Sequence, residues 1–158
     1  MLRRQILPLL FFITVVLVSC SHYDELTKNP QESSTKEESH EAGENCGSCH
    51  NNNNSPGEES PGSDKWWTVS GTIFSSQNRA QKNAVIELWE LPNKQGKLIK
   101  RLVSDLKGNF YTNQIVDFNG GCYVTVTVGN TTKYMAPAFT GGSCNSCHGV
   151  SSAKIIVN

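Results

Sequence analysis

From residue 68 onward, apolar and polar side chains alternate in short runs. Thr68-Val69-Ser70-Gly71-Thr72-Ile73-Phe74 repeats with period two, and so does Ala84-Val85-Ile86-Glu87-Leu88-Trp89-Glu90, where Ala84, Ile86 and Leu88 share one face. Residues 98–103, Phe110-Tyr111 and residues 122–128 continue the pattern, and Ile155-Ile156-Val157 supplies a closing strand. Turn signals separate the runs: Pro92-Asn93, Gln95-Gly96, Lys107-Gly108-Asn109, Asn119-Gly120-Gly121 and Gly129-Asn130. Short strands with frequent turns predict an all-β fold, an antiparallel β-sandwich over residues 66–158. No stretch carries a sustained helical period.

The first third of the chain reads differently. Residues 1–19 begin with Arg3 and Arg4 and continue into an apolar run, 9–18, shorter than the ~20 residues a membrane-spanning helix needs. This is a signal-peptide pattern. It ends Leu17-Val18-Ser19-Cys20, which resembles a bacterial lipobox, so Cys20 is the expected acylation site and the mature N-terminus. The resemblance implies export and a lipid anchor in a bacterial membrane. Ser21 rather than Asp after the cysteine points to the outer membrane, on its periplasmic or cell-surface face.

Residues 20–65 are rich in Glu, Ser, Asn, Pro and Gly and nearly devoid of large apolar side chains. Such composition predicts a disordered tether, because little buried surface offsets the entropy of ordering. The net charge of zero conceals an asymmetry. The tether holds Asp24, Glu25, Glu32, Glu37, Glu38, Glu41, Glu44, Glu58, Glu59 and Asp64 against Lys28, Lys36 and Lys65, whereas residues 66–158 hold nine basic residues against four acids. Either the tether is a solvated spacer, or it folds back onto the basic domain. The basic residues are scattered rather than interleaved with aromatics, which argues against nucleic acid as a partner. No hydrolase triad or phosphate loop is present, and the expectation is a non-catalytic protein.

The chemistry lies in two five-residue stretches, Cys46-Gly47-Ser48-Cys49-His50 in the tether and Cys144-Asn145-Ser146-Cys147-His148 near the end. Both read C-x-x-C-H, and together they use four of the six cysteines. In this arrangement two thiols add across the vinyl groups of a haem and the adjacent His binds the iron from below. Here the chain resembles a small diheme c-type cytochrome. The resemblance implies two covalent haem c groups, with His50 and His148 as proximal iron ligands, and a redox partner protein or an extracellular electron acceptor. For the distal side, His22, His40 and Met135 remain; Met135 is the candidate for the second haem, and His40 either caps the first or bridges to the second. Two alternatives stay open. The C-x-x-C pairs can hold zinc or form disulfides in an anchored binding module, or an open iron site can reduce a small molecule. Neither zinc nor a disulfide requires the His that follows each pair.

A second resemblance covers residues 68–128. Val69-Ser70-Gly71-Thr72-Ile73, Asn83-Ala84-Val85-Ile86-Glu87-Leu88 and Ser104-Asp105-Leu106-Lys107-Gly108-Asn109-Phe110 are similar, in order, to the V-x-G-x-V strand, the G/N-A-x-V-x-L strand and the T-D-x-x-G-x-F hairpin of the carboxypeptidase-regulatory-like (transthyretin-like) β-sandwich. That family implies a structural or binding module. Cys122 takes the slot usually given to an inward Tyr, and is expected to be a small buried hydrophobe. The second C-x-x-C-H then falls in a loop between the last two strands.

Overall fold

The computed structural model describes residues 31–50, 67–118 and 120–158. Seven strands form two sheets: β1 (Val69–Phe74), β2 (Val85–Leu91), β3 (Gln95–Val103), β4 (Asn109–Thr112), β5 (Tyr123–Val128), β6 (Thr131–Tyr134) and β7 (Ile155–Ile156). One sheet has the order β4-β1-β7 and the other β3-β2-β5-β6. All pairings are antiparallel except β1 with β7, which is parallel. The expected all-β sandwich is therefore present.

The period-two faces meet in a single core. Ala84, just before β2, and Ile86 and Leu88 within it are buried as expected and lie with Val69, Ile73, Leu102, Phe110, Val126 and Val157. Burial of such side chains stabilises a fold by about 1.5–3 kcal/mol each. Cys122 belongs to this cluster, fully buried, with its backbone paired to Phe139. Its small apolar character is what the packing uses.

The turns depart from expectation in two places. Gln95-Gly96 is inside β3, not in a turn; Asn93 and Lys94, with φ of 58° and 60°, make the reversal instead, and Leu91 pairs with Gln95. Two successive left-handed residues suit a tight hairpin, because they match strand twist. Beyond Gly129-Asn130 the chain returns as β6, a strand the alternation did not reveal because Thr131, Thr132 and Lys133 carry no apolar face. The Lys107-Gly108-Asn109 turn is present. Gly108 sits at φ +76°, and a Cβ there would lie 2.5 Å from the Ile73 carbonyl oxygen, so both backbone sign and space require glycine. Asn119 is outside the described residues.

Residues 31–50 do not behave as a free spacer. They run along the sandwich and are bonded to it throughout. Gln31 N–H donates to Asn113 Oδ1 at 2.7 Å, Ser33 N–H to the Tyr111 carbonyl at 3.0 Å, and Leu106 N–H to the Glu37 carbonyl at 3.0 Å. Buried Asp105 accepts from the backbone and hydroxyl of Ser39 as well as from the amides of Lys107 and Asn109. The charge asymmetry is expressed here: Lys100 pairs with Glu32 at 2.7 Å and Lys107 with Glu38 at 3.0 Å. This strap and the loop at 142–145 together cover the outer face of β1, and all six residues of that strand are buried. Residues 1–19, Cys20, His22 and residues 51–66 are outside the described residues, so the signal peptide, the acylation site and the Asn-Pro-Gly linker have no structural counterpart here. Among the described residues no helix is long and apolar enough to cross a membrane.

Candidate functional site

The two C-x-x-C-H stretches lie side by side against β1. The first forms a single helical turn, α1 (Cys46–Cys49), at the end of the strap. The second follows β6 and forms a 3-10 turn, Cys144–Ser146, before β7, in the loop position expected. A polar bridge joins them. Ser143 Oγ donates to Asn45 Oδ1 at 2.5 Å. Asn145 Nδ2 donates to the Glu44 carbonyl at 2.8 Å and to Thr72 Oγ1 at 2.9 Å, while Asn145 Oδ1 accepts from the Thr72 amide at 3.1 Å. Asn145 is buried, and these three bonds satisfy both ends of its carboxamide. Thr72 Oγ1 also accepts from the Gly43 amide at 2.9 Å, so β1 anchors both motifs at one residue.

Each motif opens onto its own cleft. The second motif lines a cavity of about 510 Å³ through Cys144, Cys147 and His148, with Met135, Phe110 and Phe139 among its walls. That volume falls within the ~300–1,000 Å³ of small-molecule and cofactor sites. His148 Nδ1 lies 2.7 Å from the Ala153 carbonyl oxygen. A carbonyl can only accept, so Nδ1 carries the proton and Nε2 is the basic nitrogen; a backbone carbonyl behind a metal-binding imidazole fixes its tautomer and orientation in the same way. Gly142 makes this placement possible. Its amide carbonyl accepts from Ser70 N–H at 2.8 Å, and a Cβ there would lie 1.5 Å from the Thr68 carbonyl oxygen.

The first motif lines a smaller cavity of about 300 Å³ through Cys46, Cys49 and His50. His40 stands across from His50 with ring centres 5.8 Å apart and planes tilted 35°. His50 also packs on Trp67 at 4.9 Å, and Trp67 on Tyr111 at 4.6 Å. Burial, together with the neighbouring Glu37 that accepts from the phenol at 3.0 Å, drives the Tyr111 hydroxyl well above its usual range, so it stays protonated as a donor.

Within each motif the first cysteine turns inward and the second outward. Cys144 is buried and its thiol is pushed up to about 12, first by burial and then by the neighbouring thiols Cys122 and Cys46. Cys46 is half-buried and its thiol is likewise raised by burial, against a lowering hydrogen bond with Ser70. Cys49 and Cys147 are exposed. Burial alone pushes Cys122 up to about 11. Among the described residues no three His, Cys, Asp or Glu side chains are grouped to hold one metal ion, so the two cysteine pairs do not assemble a single tetrahedral site.

The residues fit a covalently held macrocycle at the second cleft: two cysteines in its lining, an oriented imidazole, an apolar wall and a thioether. At the first cleft they fit the same group with less cover. The structure therefore brings together Cys46, Cys49, His50 and His40 in one place and Cys144, Cys147, His148 and Met135 in another. Sequence reasoning missed Trp67, Tyr111, Phe139, the Ala153 carbonyl and Asn145. Only Trp67 carried a signal, as a large side chain at the border of the polar stretch.

No protein-family model matches the chain, no curated protein matches it, and no solved structure matches its fold.

Proposed function

We propose that this chain is an exported, lipid-anchored diheme c-type cytochrome that carries electrons outside the cytoplasmic membrane. The observation that carries the reading is the second cleft, where the cysteines and imidazole of the motif line one apolar cavity and His148 is held through Nδ1 by the Ala153 carbonyl. Cys144 and Cys147 would hold the group by thioethers, His148 would bind its iron, and Met135 is placed to approach from the same cavity. Cys46, Cys49 and His50 would do the same at the first cleft, with His40 opposite. When bound, the group supplies one-electron redox chemistry. The chain's own residues orient it, shield it and set its potential.

The buried Cys144 thiol adds a constraint. A thiol packed in the core is screened from an incoming reactant, so attachment at this motif would precede closure of the sandwich. The carboxypeptidase-regulatory-like resemblance gives the scaffold its role: a non-catalytic sandwich that fixes the two sites. Acylated Cys20 would tether the assembly to a bacterial membrane, with residues 51–66 joining strap to sandwich.

Expression in bacteria competent for haem attachment, followed by intact mass and a haem stain of the denatured protein, tests the reading. The expected result is two covalent haems per chain, reduced to one in the Cys46→Ala/Cys49→Ala variant. A chain bearing acyl groups but no macrocycle overturns it, and zinc without iron selects the anchored binding module instead.

A further inference from the structure

The two clefts differ in three features that act on a bound redox centre, and all three have the same sign. The first is the residue opposite the motif histidine. His40 faces His50 at 5.8 Å, whereas the second cavity offers the thioether of Met135. A thioether in place of a second imidazole raises the potential of haem iron. The second feature is charge. Among the described residues, Glu41 and Glu44 line the first cleft with no Lys or Arg, and Lys133 and Lys154 line the second with no Asp or Glu. Lys154 Nζ lies 3.1 Å from Asn78 Oδ1 and 4.5 Å above the centre of the Phe74 ring, beside the cleft rather than inside it. An added electron is repelled by carboxylates and attracted by ammonium groups. The third is cover. The second cavity is larger and runs to Cys144, Phe110 and Val126 of the core, while the first lies under an exposed strap turn that buries none of its own residues. Water around a haem favours its more highly charged oxidised form.

Resting on the diheme reading above, we infer that the chain sets its two sites at different reduction potentials. His40, Glu41 and Glu44 hold the first low, and Met135, Lys133 and Lys154 hold the second high. The polar bridge through Asn145 keeps the two motifs adjacent, so one electron lost by the first site is gained by the second without bonds being made or broken. Direction is then built in. A one-electron reductant with a basic docking face meets the acidic mouth of the first cleft, and a one-electron oxidant with an acidic face meets the lysines of the second.

A spectroelectrochemical titration of the full chain with both haems attached tests this. Two one-electron waves are expected, with at least a tenfold preference of the first electron for the second site, equivalent to about 59 mV for one electron. Cys46→Ala/Cys49→Ala should remove the lower wave and leave the upper. Met135→Leu keeps the apolar volume but deletes the sulfur. It should lower the upper wave alone and abolish the long-wavelength charge-transfer band of sulfur-ligated ferric haem; a Met135 that merely fills space leaves both untouched. His40→Ala should change the spectrum of the lower wave only. Two haems by mass with coincident waves, or loss of the upper wave in Cys46→Ala/Cys49→Ala, overturns the inference while the diheme reading stands. A chain with no haem overturns both.

Discussion

The same five-residue pattern occurs twice, and the two copies are held by different physics. The second is part of the core. Cys144 is packed with Phe110 and Val126, Gly142 lies on the β1 backbone, and the surrounding loop is closed by β7. The first is held from outside. Its helical turn buries no residue of its own and is tied down by Asn45, Glu44 and Gly43, all through hydrogen bonds to β1 or to the second motif. Apolar packing sums over many contacts and resists local opening, whereas each exchanged hydrogen bond contributes about 0.5–1.5 kcal/mol. A motif therefore specifies what chemistry can be attached, and its setting specifies how rigidly and in what dielectric.

The contrast can be broken most severely at Gly142. Gly142→Ala drives a Cβ into the Thr68 carbonyl, backbone against backbone, and should cost about 3 kcal/mol in denaturant unfolding. Gly47→Ala, in the first motif, meets side-chain atoms of Ser143 at 2.6 and 3.0 Å and Asn45 Oδ1 at 3.4 Å rather than a backbone carbonyl, and Gly141→Ala meets nothing within 4 Å, so both should be milder. A loss at Gly47 equal to that at Gly142 would mean that the first motif is as deeply built in as the second.

Asn145→Ala should come next, at about 2 kcal/mol, because it leaves the buried Thr72 amide without its acceptor. Its signature separates the two regions: hydrogen exchange should quicken across residues 43–49 more than across β2 and β5. Uniform quickening would show that the bridge supports the whole sandwich rather than the strap.

The smallest effect is expected at the far end of the strap. Lys100→Gln removes the ion pair with Glu32, whose side chains are 15% and 33% exposed, and should cost under about 1 kcal/mol, less at high salt. A loss independent of salt would point instead to the hydrogen bond that Lys100 Nζ donates to the uncharged Gln114 carboxamide oxygen.

Much of this molecule was legible in the chain. Period-two alternation located β1, β2, β4, β5 and β7 to within a residue or two, because one face of each meets an apolar core. It missed β6, whose threonines and lysine carry no such signal, and misplaced a turn at Gln95-Gly96 because left-handed Asn93 and Lys94 had already reversed the chain. The cysteines and histidines of both motifs were also readable from their spacing, and the structure sets His40 beside His50 and Met135 in the cavity lined by His148.

What the chain alone determined was the inventory: strands, thiols, imidazoles, and an acidic segment ahead of a basic domain. What only the tertiary structure decided was where the acidic segment goes. Ser70 and Thr72 alternate as solvent-facing positions would, yet both are buried, because Asp105, Asn109 and Asn145 convert that polar face into a hydrogen-bonded seat for residues 39–46. Such a seat has no hydrophobic period, and its partners lie some 30 to 100 positions apart. Local pattern cannot encode it, since it exists only once the folded sandwich presents those donors and acceptors together.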